Sequence, residues 1–320
     1  MTNMERRLRV VFMGTSGFAV PSLRALNKNH QILAIVTQPD RPSGRGRHVI
    51  ESPVKQEANS LGLPIYQPER VREEGFIEQM RGFEPLDAIV VAAFGQIIPK
   101  VILDMPRLGC VNVHGSLLPK YRGAAPIQHA ILQGETVTGV TTMLMDPGLD
   151  TGPILLQEST DILDGEIYGD LHDRLAEIGA RLLIRTLDGL DDGSIQPIPQ
   201  DHSQATLALS IKREAGAIDW TLPAGRIVNQ IRAFTPRPGA YAFLNKSMVK
   251  IWRAVSTDDT GKAQPGEVVK VSDEGILVAT GDYAALITEL QPENRRRMGA
   301  AEFARGARLT PGSFFRSEPG

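Results

Sequence analysis

Short apolar runs alternate with stretches of helical periodicity through the first half of the chain. The run at 8–12 ends at Gly14 and predicts a strand. A helix follows at 18–27, where Pro21 is tolerated in the first turn. Further strands are predicted at 31–37, 87–93 (DAIVVAA), 109–114, 137–145 and 153–157. Ser52 is placed to cap a helix that opens at Pro53. Leu171, Leu175, Ile178 and Leu182 recur at helical spacing and predict one long amphipathic helix over 168–190. Strands that alternate with helices predict an α/β domain with a mostly parallel sheet covered on both faces.

The pattern then changes. Residues 191–208 are polar, with Pro197 and Pro199, and read as a linker. Beyond them come a short helix at 223–234 and strands at 240–244, 249–255, 266–272, 275–279 and 284–290, with a hairpin turn at Asn245-Lys246. Five short strands in series predict a small barrel.

The length of 320 residues exceeds one ordinary core and fits this two-domain division. Charge sharpens the contrast between the halves. The first 208 residues carry 19 Lys+Arg against 25 Asp+Glu, and the remainder carries 16 against 12. A basic back half either reflects chance, which charge alone favours, or suits a polyanionic partner. The single cysteine, Cys110, excludes a disulfide framework and fits a reducing compartment. The N-terminal apolar run is too short for a signal peptide, and no run reaches the length of a membrane span. The expectation is a cytoplasmic protein without membrane contact.

Three places carry candidate chemistry. Asn112 and His114 interrupt the strand at 109–114 and share one of its faces, because successive side chains alternate. They are either core polar residues satisfied by backbone, or two hydrogen-bond donors aimed at one point at the end of a strand, where α/β sheets bind ligands. Asp150, between Gly148 and Gly152, is either a turn aspartate or a carboxylate that orients His114 and accepts a proton through water. The segment 38–48 (QPDRPSGRGRH) is either a solvated loop or a finger whose arginines fork onto phosphates. The first loop, MGTSGFA, lacks the middle glycine of a dinucleotide fingerprint, and no acidic residue closes the second strand. No nucleophile setting and no metal-ligand spacing is present, so direct transfer without a covalent enzyme intermediate is expected.

NVHGSLLPKYRGAAP, with GLDTG some thirty residues on, resembles the folate-dependent formyltransferase family. TQPDRPSGRG, SPVK, MPRLGCVNVHGSLLP and AAPIQ extend the resemblance, and IDW, IRAFTP and VKIWRA carry it into the tail. It implies a Rossmann-like, mostly parallel α/β catalytic domain over 1–190, a linker over 191–208, and a smaller C-terminal β-barrel (OB-like) over 209–320 that touches tRNA. It implies transfer of a formyl group from 10-formyltetrahydrofolate, a co-substrate, to the α-amine of methionine on initiator tRNA, with no metal and a monomeric protein. By resemblance, Asn112, His114 and Asp150 form the catalytic trio. Ser116, Leu117, Leu118 and Pro119 bind folate, and Arg41, Arg45 and Arg47 meet the tRNA acceptor end. The chain departs from the family's usual residues at Ser16-Gly17, Phe94-Gly95-Gln96 and Pro147. Two alternatives fit parts of the sequence: formyl transfer to a small amine, and RNA binding without catalysis. The first leaves the arginine segment and tail unused, and the second leaves the trio unexplained.

Overall fold

The computed structural model describes residues 7–43, 48–259 and 263–319, and the chain divides into two compact units. The first unit takes 1–123, 138–160 and 172–207. Its strands and helices follow in the order β1 (Arg9–Gly14), α1 (Val20–Asn29), β2 (Gln31–Val36), β3 (Arg41–Ser43), β4 (His48–Ile50), α2 (Pro53–Ser60), β5 (Ile65–Tyr66), α3 (Glu74–Arg81), β6 (Ala88–Ala92), α4 (Lys100–Leu103) and β7 (Cys110–His114). Helix α5 (Pro126–Gln133) belongs to the second unit, and β8 (Val137–Leu144), β9 (Ile154–Asp161) and α6 (Tyr168–Asp191) follow it.

The large sheet has the order β5-β2-β1-β6-β7-β8-β9. β5, β2, β1, β6 and β7 run parallel, and β8 pairs antiparallel with β7. Every residue of β6 is buried, as the unbroken run AIVVA requires of a strand covered on both faces. From β1 the chain moves outward through β2 to β5 and then crosses back to β6 on the other side of β1, so the carboxyl ends of β1 and β6 flank a switch point where α/β sheets form ligand crevices.

The two faces have distinct coverings. Val11, Met13, Ile89 and Val91 form one core with Ile77 and Met80 of α3 and Ile102 of α4. Asn112 lies in register with Val91, so the polar pair of β7 faces this side. Val113 points the other way, against α6, where Gly179 stands. A Cβ at Gly179 would lie 2.7 Å from the Val113 side chain, so glycine permits the close approach. Leu175, Leu182, Leu183 and Leu187 of α6 are fully buried. Each contributes about 1.5–3 kcal/mol of burial. The Ser52 hydroxyl accepts from the Lys55 amide at 3.1 Å and caps α2, as its position predicts.

The second unit takes 124–137, 161–171 and 208–320. Its later elements are α7 (Ala224–Phe234), β10 (Ala240–Leu244), β11 (Ser247–Thr257), β12 (Val268–Ser272), β13 (Gly275–Ala279), β14 (Ala284–Pro292), β15 (Met298–Gly299), α8 (Ala300–Ala307) and β16 (Phe315–Arg316). They form a curled antiparallel sheet in the order β12-β13-β14-β11-β10-β16 around Trp220, Ile227, Ile231, Ile251, Ile276, Ile287 and Phe315. The curl is a half-barrel, in keeping with the small barrel expected from the strand series and with the OB-like type implied by the resemblance. The last residues link its two edges: β16 pairs with β10, while Val268 donates to the Ser313 carbonyl at 2.7 Å and Phe315 to the Gly266 carbonyl at 2.8 Å. Helix α5 joins this unit. Its Gln128 amide donates to the carbonyls of Ala233 and Arg237, and α5 packs on α7.

The polar stretch expected as a linker does not run free in the first unit. Ile198 exchanges two backbone hydrogen bonds of 2.8 Å with Ile154 of β9, and Gln200 is buried.

Candidate active site

His114 ends β7, is 5% exposed, and places Nε2 2.9 Å from the Tyr121 carbonyl. A carbonyl only accepts, so Nε2 carries a proton, and the neutral ring has its lone pair on Nδ1. Nδ1 faces Asp150 Oδ2 at 3.6 Å. Asn112 Nδ2 lies 3.5 Å from the other carboxylate oxygen, Oδ1. The Gly123 amide donates to Oδ2 at 2.8 Å. The three residues expected to act together therefore meet at one carboxylate. The two side-chain separations are long for hydrogen bonds, as is common before substrate closes a site. What the sequence could not assign is the division of the ring: Nε2 is spent on backbone, and only the Nδ1 edge is left for proton exchange.

Asp150 sits in the loop between β8 and β9 with φ of 51°, a left-handed conformation that aspartate tolerates better than most residues. The loop is tightly determined. Asp146 accepts from the Gly148 amide at 3.0 Å and the Thr151 hydroxyl at 2.6 Å. A Cβ at Gly152 would fall 1.9 Å from the Leu144 carbonyl oxygen, so only glycine fits there. Pro147, one of the departures from the family's usual residues, is exposed.

Ser116–Leu117–Leu118–Pro119 follows β7 directly. Thr141 of β8 donates its hydroxyl to the Ser116 carbonyl at 2.7 Å and accepts from the Leu118 amide at 3.1 Å. Gln157 of β9 donates to the Leu118 carbonyl at 2.9 Å. The Ser116 hydroxyl is buried and donates to the Lys120 carbonyl, and Leu118 is buried too. The segment thus presents Leu117 and Pro119, half-buried, while Ser116 and Leu118 hold its shape. Across the crevice, the Phe94 carbonyl accepts from Thr15 and Gln38, and the following Ile97 is 89% exposed. The unusual Gln96 braces the chain: its Oε1 accepts from the Val71 amide at 3.0 Å.

The arginine segment differs from the expected open loop. β3 and β4 pair antiparallel, Arg41 opposite Ile50 and Ser43 opposite His48. Polar, glycine-rich composition speaks against packing but does not prevent backbone pairing. Arg41 is exposed. Arg45 and Arg47 lie outside the described residues. The base of the hairpin is anchored by Lys55, which pairs with Asp40 and, at 3.3 Å, with Glu51. The Lys55 ammonium, hydrogen-bonded to Asp40, holds that carboxyl below its usual range.

Cys110 is buried at the start of β7, and burial pushes its thiol up to about 12, which removes it as a nucleophile near neutral pH. No group of three or more metal-binding side chains is present among the described residues.

The formyl transferase model matches residues 7–187, and the formyl transferase C-terminal domain model matches 210–308. The chain belongs to the formyl transferase family. This formyl transferase is 48% identical over 306 residues to the methionyl-tRNA formyltransferase of Citrifermentans bemidjiense, covering 95% of each chain. It is 48% identical over 317 residues to that of Halalkalibacterium halodurans, covering 98% of this chain and 100% of the relative. Among solved structures it shares its fold with an N-formyltransferase from Helicobacter canadensis in complex with folinic acid and dTDP-3-aminofucose, at a TM-score of 0.63 and 20% identity over 91% of this chain and 100% of that one.

Several residues that hold the formyl transferase site together were not visible as site residues in the sequence. Arg122 lies in the quoted basic stretch but carries no signal of burial, and it is 6% exposed. Gln200 and Thr206 lie in the polar stretch between the two matched models.

Proposed function

We propose that this formyl transferase moves the formyl group of 10-formyltetrahydrofolate to the α-amine of methionine esterified to initiator tRNA, giving N-formylmethionyl-tRNA for translation initiation. The observation that carries the reading is similarity to methionyl-tRNA formyltransferases that runs through nearly the whole chain, tail included. In this reading the amine nitrogen bonds to the formyl carbon, and the carbonyl oxygen gains negative charge beside the Asn112 amide and the Nδ1 edge of His114, which donates there when Nδ1, beside Asp150, carries a proton. Donors fixed on a strand need little rearrangement as that charge forms. Asp150 accepts the proton released by the amine and passes it on to the folate nitrogen as the bond from that nitrogen to the formyl carbon breaks.

The reading includes Leu117 and Pro119 against the folate, on the frame that Ser116 and Leu118 hold. Arg41 on β3, with Arg45 and Arg47 of the sequence between β3 and β4, meets the acceptor end of the tRNA, and the C-terminal barrel contacts the tRNA. It also takes 1–190, 191–208 and 209–320 as catalytic domain, connecting segment and tRNA-binding domain of a monomeric cytoplasmic protein. No helix among the described residues is long and apolar enough to cross a membrane. The test is transfer of isotope from labelled 10-formyltetrahydrofolate. Label on charged initiator tRNA and not on free amines or amino sugars supports the reading. Label on small amines alone overturns it.

A further inference from the structure

Two residues that hold the His114–Asp150 pair sit in left-handed backbone: Tyr121 with φ of 61° and Asp150 with φ of 51°. Such a conformation is strained and persists only where its surroundings over-determine it. At Tyr121 the carbonyl fixes His114 Nε2. At Asp150 the carboxylate faces His114 Nδ1. The imidazole is thus gripped from both sides by strained loops.

Both loops are pinned by one short piece of chain. The Tyr121 amide donates to the Thr206 hydroxyl at 2.9 Å, and the Arg122 amide to the Thr206 carbonyl at 2.8 Å. Gln200 joins the two loops directly. Its Nε2 donates to the Asp150 carbonyl at 2.9 Å and to the Gly152 carbonyl at 2.7 Å. Its Oε1 accepts from Arg122 at 3.2 Å and 2.7 Å. The amide orientation is chemically forced, because guanidinium cannot accept and carbonyls cannot donate. The guanidinium also contacts His202 Nδ1 at 3.1 Å. Both Arg122 and Gln200 are buried.

We propose that Gln200 and Arg122 are positioning residues for formyl transfer, a clamp that sets the Asp150 loop against the Tyr121 loop and so fixes His114 between them. The clamp places the segment around 198–206 within the catalytic apparatus. This inference rests on the function proposed above. Gln200→Glu separates the contacts: a carboxylate keeps the pairing with Arg122 but replaces the one nitrogen that donates to the Asp150 and Gly152 carbonyls with an oxygen that repels them.

The test compares wild type, Gln200→Glu, Gln200→Ala and Arg122→Lys, with Gln196→Ala as a control on an exposed side chain of the same stretch. Turnover is measured with 10-formyltetrahydrofolate and methionyl initiator tRNA. Hydrogen exchange is measured at the Gly123 amide, which donates to the Asp150 carboxylate. A site displaced by about 1 Å loses on the order of 10²-fold in rate. The expected result is a fall in kcat of about 10- to 100-fold in Gln200→Glu and Gln200→Ala, with KM for both substrates within about threefold. Arg122→Lys, which keeps the charge and can still donate to Gln200 but loses the two-nitrogen fork, falls less. Exchange at Gly123 accelerates in the same order while the melting transition stays cooperative, and Gln196→Ala behaves as wild type. Turnover within twofold of wild type in folded Gln200→Glu overturns the proposal, as does unchanged exchange at Gly123. The exchange arm needs no substrate, so it judges the clamp even if wild type fails to formylate the tRNA, a result that would instead overturn the functional reading.

Discussion

The site is built in two ways. Asn112 and His114 stand on β7, held by neighbouring strands on both sides. Asp150 stands on a loop, in left-handed backbone, held by single hydrogen bonds from Gly123 and Gln200. A strand fixes its side chains through a ladder that many residues share, so losing one neighbour changes little. A loop is fixed by a few named contacts, and each loss is felt. In the proposed mechanism the donors to the developing oxyanion thus belong to the robust part, and the carboxylate that would handle protons belongs to the fragile part.

The largest expected effects come from removing the groups themselves. His114→Ala and Asn112→Ala should each lower kcat by about 10²–10³-fold, as loss of an oxyanion donor does elsewhere. Both should keep the wild-type melting temperature within a few degrees, which thermal unfolding followed by circular dichroism checks. Gly152→Ala attacks the fragile half. Its Cβ would overlap the Leu144 carbonyl oxygen, so the Asp150 loop must shift. Activity should drop by about 10²-fold with the sheet intact, since small displacements of a reacting group suffice. Wild-type activity in this variant would show that the loop position is not critical.

Smaller effects separate binding from chemistry. Thr141→Val removes the hydroxyl that holds the Ser116 and Leu118 backbone. KM for 10-formyltetrahydrofolate should rise by roughly tenfold, as expected for about 1.4 kcal/mol, with little change in KM for tRNA. Arg45→Ala should raise KM for charged tRNA a few-fold and make the salt dependence of tRNA binding shallower by about one phosphate contact. An unchanged salt slope would reduce the hairpin to a solvated surface feature. The smallest effect is at Cys110. With its thiol pushed up to about 12, native protein should keep full activity through prolonged exposure to alkylating reagent near neutral pH.

The robust half was also the legible half. Runs such as AIVVA and CVNVH announce buried strands, and the two-residue spacing of Asn112 and His114 places them on one face before any coordinates are known. β9 was read short, at 153–157, because it lies at the sheet edge. Its outer half alternates half-buried and exposed residues to Asp161 in place of an apolar run. The pattern predicts no helix at α5, since eight residues carry little periodicity. The hairpin pairs backbone through β3 and β4, and composition does not report on backbone pairing. Gln200 was invisible for a similar reason. Its partners are two carbonyls and a guanidinium distant in sequence, inside a polar, proline-flanked stretch that gives no pattern.

The central claim, that His114 and Asp150 act as one unit in formyl transfer to methionyl-tRNA, is tested most directly by a double-mutant cycle. Single-turnover transfer of label from 10-formyltetrahydrofolate to methionyl initiator tRNA is measured for wild type, His114→Ala, Asp150→Asn and the double variant. The expected result is a loss of about 10²-fold or more in each single variant and hardly more in the double, because residues that act as a unit are strongly non-additive. Losses that multiply in the double variant, or transfer within a few-fold of wild type in either single one, would contradict the account.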